Sequence, residues 1–198
     1  MSLYMARVVV LDTDQSWMEL HENPNAWKGL LWRIFSHLGL PENEGGYVFR
    51  ETFKMDCVDF FVLSPHRPDV MAYGRRPIKV DMKEVGVGAF PCGSRFRFVS
   101  RFCPTRKSDG KRMKIMEEEV PAWLGKQMAG AATVQECVVV DRGYQEARKG
   151  EQIIGHSWVD VEGVLEVVDS GLFIDKLGSG VGRGKRYGFG LIVPRSRV

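Results

Sequence analysis

The pattern of apolar and polar positions predicts that the chain opens with a small sheet. Ala6–Leu11 is a β-branched run, and Ile78–Val85 alternates between apolar and polar residues. Two further runs of strand character occupy Tyr47–Phe53 and Val58–Leu63. Alternation with a period of two is typical of strands that bury one face. We therefore expect four strands within residues 1–85.

The same segment carries helical periodicity. Apolar residues recur at helical spacing at Trp27, Leu30, Leu31, Ile34, Phe35 and Leu38. This spacing predicts an amphipathic helix that opens at Asn23-Pro24 and closes at Gly39. A second, short helix is expected within Pro65–Tyr73. The resulting order βαββαβ is that of a ferredoxin-like domain, which we assign to residues 1–85.

A glycine- and proline-rich segment, residues 86–93, is the predicted linker to a second unit spanning 94–198. Arg95–Phe102 predicts a strand, and Ser108–Gly110 predicts a hairpin turn with a returning strand at Met113–Met116. A helical face follows, formed by Trp123, Leu124, Met128 and Ala131. Next comes an expected strand at Val134–Val140.

The last quarter of the chain completes the second unit. Ile153–Val168 resembles a hairpin that turns at Glu162-Gly163. A helix over Asp169–Leu177, capped by Gly178, leads to a final strand at Gly188–Val193. The predicted fold class is therefore α+β, with two tandem ferredoxin-like domains and a glycine-rich loop near the C-terminus.

The composition limits the class of protein. With 44% hydrophobic and 27% charged residues among 198, the chain can build a core and is not of the disordered class. It has no apolar run of the ~20 residues that cross a membrane, and Met1–Asp12 lacks signal-peptide features, so we expect a cytoplasmic protein. Its cysteines and histidines show no metal-ligand spacing. We expect no metal and no cofactor.

Charge is concentrated in two segments. Residues 94–114 carry a local charge of +7 and residues 176–198 a local charge of +6, although the whole chain has only +3. Two basic segments on an otherwise acidic chain indicate a directed site for a polyanion.

The second basic segment contains the most specific motif. Glycines at positions 178, 180, 182 and 184 alternate with other residues, and Arg183, Lys185 and Arg186 add charge. Such a loop allows backbone N–H groups to approach phosphates closely. A dinucleotide-binding loop follows a strand and opens a helix, whereas this one follows a helix and precedes a strand. A nucleotide cofactor is therefore disfavoured.

This ordered set of motifs resembles the repeat-associated RNA-binding superfamily of CRISPR systems, and within it the subtype I-E CasE-like endoribonucleases. The resemblance rests on Asn23-Pro24, Leu31–Phe35, the basic hairpin 105–112, Trp123-Leu124 and the glycine loop. It implies binding of a CRISPR repeat RNA stem-loop and metal-independent cleavage at the 3′ base of the stem. It also implies retention as a subunit among the other Cascade subunits.

The candidate RNA-binding residues lie in the two basic segments. They are Arg95, Arg97, Arg101, Arg106, Lys107, Lys111, Arg112, Gly180, Gly182, Arg183, Gly184, Arg186 and Tyr187. Lys185 is the loop residue expected to contact a phosphate near the scissile bond. An RNA stem is recognised by its shape and its phosphates, which suits a basic hairpin and a cationic loop.

The chain departs from the family pattern at the catalytic position. The slots of the family's tyrosine and histidine hold Asn25 and Lys28. Three interpretations stay open. Lys28 acts as a cation or proton donor, His21 supplies the imidazole from the preceding loop, or the protein binds repeat RNA without cutting it.

Overall fold

The first domain contains one antiparallel four-stranded sheet. The computed structural model describes residues 2–11, 23–35, 39, 46–69 and 78–198. The elements of the first domain are β1 (Ser2–Leu11), α1 (Pro24–Arg33), β2 (Val48–Phe53), β3 (Cys57–Ser64) and β4 (Ile78–Gly86). The strand order β2-β3-β1-β4 places the first and third strands in the centre, as the ferredoxin-like prediction requires.

Helix α1 covers one face of this sheet. The apolar positions of its predicted stripe are buried from Trp27 to Phe35. The Trp27 ring lies 6.3 Å from the rings of both Phe49 and Phe60. The predicted helix is confirmed over Pro24–Arg33, but it ends at Arg33 and not at Gly39, because Ile34 and Phe35 form a turn. Leu38 and most of the expected helix at Pro65–Tyr73 lie outside the described residues.

The second domain repeats the topology with longer strands. Its elements are β5 (Arg95–Phe102), β6 (Thr105–Ser108), β7 (Lys111–Lys114), α2 (Val120–Met128), β8 (Ala132–Lys149), β9 (Gln152–Val167), α3 (Ser170–Ser179) and β10 (Ile192–Arg197). The main sheet has the order β10-β5-β9-β8, and β6 and β7 form a separate two-stranded sheet. The order matches that of the first domain, so the tandem fold is confirmed.

The predicted hairpin at Ile153–Val168 is wrong. Gln152–Val167 is a single strand, and Gly163 lies within it. A Cβ atom at Gly163 would lie 2.0 Å from the carbonyl oxygen of Glu136 on β8. Gly163 therefore marks a close approach between two strands and does not mark a turn. The true turn joins β8 to β9 at residues 150–151.

Several element boundaries also differ from the prediction. Strand β8 runs well beyond Val140 because two bulges, at Val134/Glu136 and Val139/Asp141, keep it paired with β9. Helix α3 extends to Ser179, with Gly180 as its C-cap in place of Gly178. The final strand begins at Ile192, four residues later than Gly188, because the glycine-rich loop continues to that point.

The first domain has its own buried cluster between helix α1 and its sheet, and the core of the second domain extends onto the other face of that sheet. Leu3, Val48 and Leu63 of the first sheet belong to the same buried cluster as the core of the second domain. In the segment predicted as a linker, the Phe90 ring packs 5.2 Å from the rings of both Phe96 and Phe173. No helix among the described residues is long and apolar enough to cross a membrane.

Candidate nucleic-acid interface

The two basic segments meet at one end of β5. The N–H of Gly190, at the end of the glycine-rich loop, donates to the carbonyl oxygen of Arg101 at 2.7 Å. Three residues further on, the carbonyl oxygen of Pro104 accepts from Ile115 N–H at the base of the β6–β7 hairpin. The loop and the hairpin therefore flank the same strand end, although 64 or more residues separate them in sequence.

The β6–β7 hairpin presents its cations to solvent. The predicted turn is confirmed, with Asp109 and Gly110 in the left-handed region at φ 50° and 73°. Arg106 forms an ion pair with Glu119, which holds it toward the base of the hairpin. Lys107, Lys111 and Arg112 are exposed and form no ion pair with any described residue. Three cations are thus available to a phosphate without losing a protein partner.

The glycines of the loop have a packing role that the motif does not reveal. Gly180 has φ 69°, and a Cβ atom there would lie 2.7 Å from the Val48 side chain of the first domain. Gly188 has φ 85°, and its Cβ would lie 2.2 Å from the Glu51 carboxyl. Only glycine tolerates both the backbone conformation and the contact. These positions fit the loop closely against β2 of the other domain.

The middle of the loop offers hydrogen-bond donors. The N–H groups of Gly182, Arg183 and Gly184 form no hydrogen bond with any described residue. The Arg183 side chain is exposed beside them. Consecutive N–H groups in a glycine-rich turn, next to a cation, can donate hydrogen bonds to an anion such as a phosphate.

A short 3₁₀ turn, Lys185–Tyr187, brings the loop to helix α1. Lys28 lies on that helix and Lys185 opens the turn, and both side chains are half-buried. Burial, with a contribution from the charge of Lys176, lowers the pKa of Lys185. A lysine with a lowered pKa is a better proton donor at neutral pH. His21, the other candidate, lies outside the described residues.

His156 lies beneath this turn, which the sequence did not predict. Its ring is 4.7 Å from that of Tyr187 and 5.4 Å from that of Phe189. Its Nδ1 lies 3.9 Å from the Sγ of Cys103, and its Nε2 is buried without a partner among the described residues. Burial and the nearby Arg183 lower its pKa. His156 is therefore a neutral support for Tyr187 in the free protein.

The arginines of β5 are less available than their sequence suggests. The Arg101 guanidinium donates twice to Asp160, at 2.8 and 2.9 Å, and stacks 4.0 Å from the Trp158 ring. Arg95 pairs with Glu166 at 2.8 Å. Arg97 is exposed. The RNA contacts predicted for these three arginines stay predictions, and Arg101 already has a structural role.

The described residues contain no group of three or more histidine, cysteine or acidic side chains that could hold a metal ion. The site combines exposed cations, backbone N–H donors and the Tyr187 ring, which packs against His156 at an interplanar angle of 40°.

Comparison with known families decides the membership of this chain. A family model described as "CRISPR associated protein" matches residues 3–194. The chain belongs to this family of CRISPR-associated proteins. The resemblance found in the sequence motifs is thereby confirmed at the level of the family.

Solved structures share the fold along the whole chain. The Thermus thermophilus Cse3 structure bound to an RNA representing a pre-cleavage complex is 22% identical, with a TM-score of 0.85, and covers 99% of this chain and 100% of its own. Cas6e from Escherichia coli K-12 is 22% identical with a TM-score of 0.71, covering 96% and 98% of the two chains. A chain of a CRISPR RNA-guided surveillance complex is 19% identical, with a TM-score of 0.67 and coverages of 96% and 98%. No curated protein sequence matches.

Proposed function

We propose that this protein binds the stem-loop of a CRISPR repeat transcript, cleaves it at the 3′ base of the stem and stays bound as a subunit of a Cascade surveillance complex. The observation that carries the proposal is the meeting of both basic segments at the end of β5, beside helix α1. The similar Cse3 and surveillance-complex chains support it, because they share this fold across both domains.

The two basic elements suit two parts of such an RNA. The grooves and phosphates of an RNA stem are read by shape, and a projecting two-stranded hairpin can lie along them. Lys107, Lys111 and Arg112 would contact stem phosphates. The glycine-rich loop, with its N–H donors and Arg183, would bind the phosphates near the base of the stem.

Cleavage requires only the RNA and positioned proton carriers. The 2′-hydroxyl oxygen attacks the adjacent phosphorus and gives its proton to a solvent base, while the bond from phosphorus to the 5′-oxygen breaks and that oxygen gains a proton from Lys185. The products are a 2′,3′-cyclic phosphate and a 5′-hydroxyl. Lys185, with its lowered pKa, is suited to protonate the leaving oxygen. Lys28 is suited to stabilise the developing negative charge.

The test is incubation of the purified protein with its cognate repeat RNA in excess EDTA, followed by analysis of the fragment ends. We expect cleavage at the 3′ base of the stem with cyclic phosphate ends. Cleavage that EDTA abolishes and magnesium restores would overturn the metal-independent mechanism. Failure of the protein to bind any repeat hairpin would overturn the function as a whole.

A second function, RNA binding without cleavage, is favoured by the lysine in the family's histidine slot. In this alternative the RNA-binding interface is the same, and only the cleavage step is absent. If the wild-type protein binds the repeat tightly and leaves it uncut for hours, this second function is correct.

A further inference from the structure

A buried carboxyl lies directly behind the glycine-rich loop. Glu51, on β2 of the first domain, has a side chain only 4% exposed. Its Oε1 accepts from Arg101 Nη1 at 3.3 Å, whereas its Oε2 has no partner among the described residues. That unpartnered oxygen faces the backbone of Gly188, directly after the Lys185–Tyr187 turn.

The cations around Glu51 neutralise the charge of its carboxylate only in part. Arg101 makes its two shorter bonds to Asp160, and Arg50 also pairs with Asp160 at 3.3 Å. Glu51 is left with the longest of the three bonds from Arg101. Buried charges are costly unless they are fully paired and hydrogen-bonded. Glu51 is thus the group of this network that most easily becomes neutral.

The network spans both domains and lies next to the loop. Arg50 shares β2 with Glu51, Arg101 comes from β5 and Asp160 from β9. The Lys185–Tyr187 turn of the loop contacts β2. Burial raises the pKa of Glu51 to about 7. A hydrogen bond from its own backbone and the charges of Arg101 and Arg50 oppose this rise, and Asp160 adds to it. Glu51 therefore changes its charge within the physiological range.

We propose that Glu51 is a proton-linked positioning residue, which takes up a proton when an RNA phosphate occupies the adjacent Lys185–Tyr187 turn. The inference rests on the proposed function, since the phosphate must come from bound RNA. A phosphate brings negative charge close to the carboxyl, and like charges disfavour ionisation. The neutral carboxyl then no longer repels the RNA through the loop. Binding and protonation are coupled.

The coupling between proton uptake by Glu51 and RNA binding determines how the affinity for RNA changes with pH. The bound state holds the proton more tightly than the free state, so affinity is highest below both pKa values and falls as pH rises through them. A shift of one pKa unit on binding corresponds to a tenfold loss of affinity across that range. The proton comes from the buffer, which makes its uptake measurable.

The experiment measures repeat-hairpin affinity from pH 6 to 8.5 and, by titration calorimetry in two buffers of different ionisation enthalpy, the protons taken up near pH 7. The variants are Glu51→Gln, which has the neutral shape at every pH, and the control Glu84→Gln on the exposed surface of β4. We expect the wild type and the control to lose about tenfold more affinity than Glu51→Gln over this range. They should also take up a fraction of a proton that the Glu51→Gln variant does not.

Two results would contradict the proposal in different ways. Equal proton uptake by the wild type and Glu51→Gln, with RNA bound by both, would overturn the role of Glu51 and leave RNA binding intact. Absence of RNA binding by the wild type would overturn both this inference and the proposed function. A purely structural role predicts that Glu51→Gln weakens binding equally at every pH, and that result would also refute proton linkage.

Discussion

Removal of the hairpin charges is the most direct test of where the RNA lies. The perturbation is the quadruple replacement of Arg106, Lys107, Lys111 and Arg112 by alanine. All four side chains are exposed on a ribbon that forms its own small sheet. Surface substitutions of this kind usually change the free energy of unfolding by less than about 0.5 kcal/mol. A loss of binding would therefore report on contacts with the RNA.

The structure sets the size of the effect. Arg106 already has a protein partner in Glu119, so three cations are counted as new phosphate contacts. Each contact contributes about 0.9 to the slope of log K against log salt, which at 0.1 M salt corresponds to about 0.9 decade of affinity. We therefore expect a loss of roughly 500-fold and a slope that is smaller by about 2 to 3.

The assay is filter binding or fluorescence anisotropy at five or more salt concentrations. The matched control replaces Lys79, Lys83, Lys126 and Arg148, which lie outside the two basic segments, are exposed on β4, α2 and β8, and carry the same total charge. If the control lowers affinity and slope as much as the hairpin variant, net charge governs binding. The assignment of the hairpin to the stem would then be wrong.

Three further results are expected. Lys28→Ala should remove most cleavage in a single-turnover assay while hairpin affinity stays within about tenfold, the scale of one phosphate contact, and Lys28→His should accelerate cleavage. Lys185→Arg should keep RNA binding but lose cleavage in the same assays, because arginine keeps the charge and cannot release a proton near neutral pH. Relative to Glu51→Gln, the free energy of unfolding of the wild type, measured in urea, should fall by roughly 2 to 3 kcal/mol from pH 5 to 8, because the folded state holds the Glu51 proton up to about pH 7. The comparison removes the opposite contribution of His156, whose lowered pKa favours the folded state as pH rises.

Helix α1 was predictable because its signal is local. The positions of the predicted apolar stripe, Trp27, Leu30, Leu31, Ile34 and Phe35, follow the helical period and are buried. The tandem domains were predictable for the same reason, since strand alternation and helix spacing recur in the same order in both halves. The β6–β7 turn at Asp109-Gly110 is encoded in two residues.

The errors concern contacts between distant residues. Glu162-Gly163 has the composition of a turn, whereas Gly163 is needed because β8 passes too close for a side chain. The position of His156 beside Tyr187 is a further contact between distant residues that the sequence did not predict. Arg101 counted as a free cation because its partner, Asp160, is 59 residues away. The sequence shows that Arg101 is charged, but it does not show which distant carboxylate pairs with it.

The glycine-rich loop shows how the site depends on both domains. Its sequence predicted a loop whose N–H groups can approach phosphates, and the structure shows in addition that its backbone is fitted against Val48 and Glu51 of the first domain and is hydrogen-bonded to β5 of the second. The free N–H donors at Gly182 to Gly184 are therefore held by contacts at either side of them. A separated second domain would retain the motif and the charges but would lack the surface that positions the loop. The proposed RNA site therefore depends on the contact between the two domains, and substitutions there should alter cleavage even where they touch no RNA.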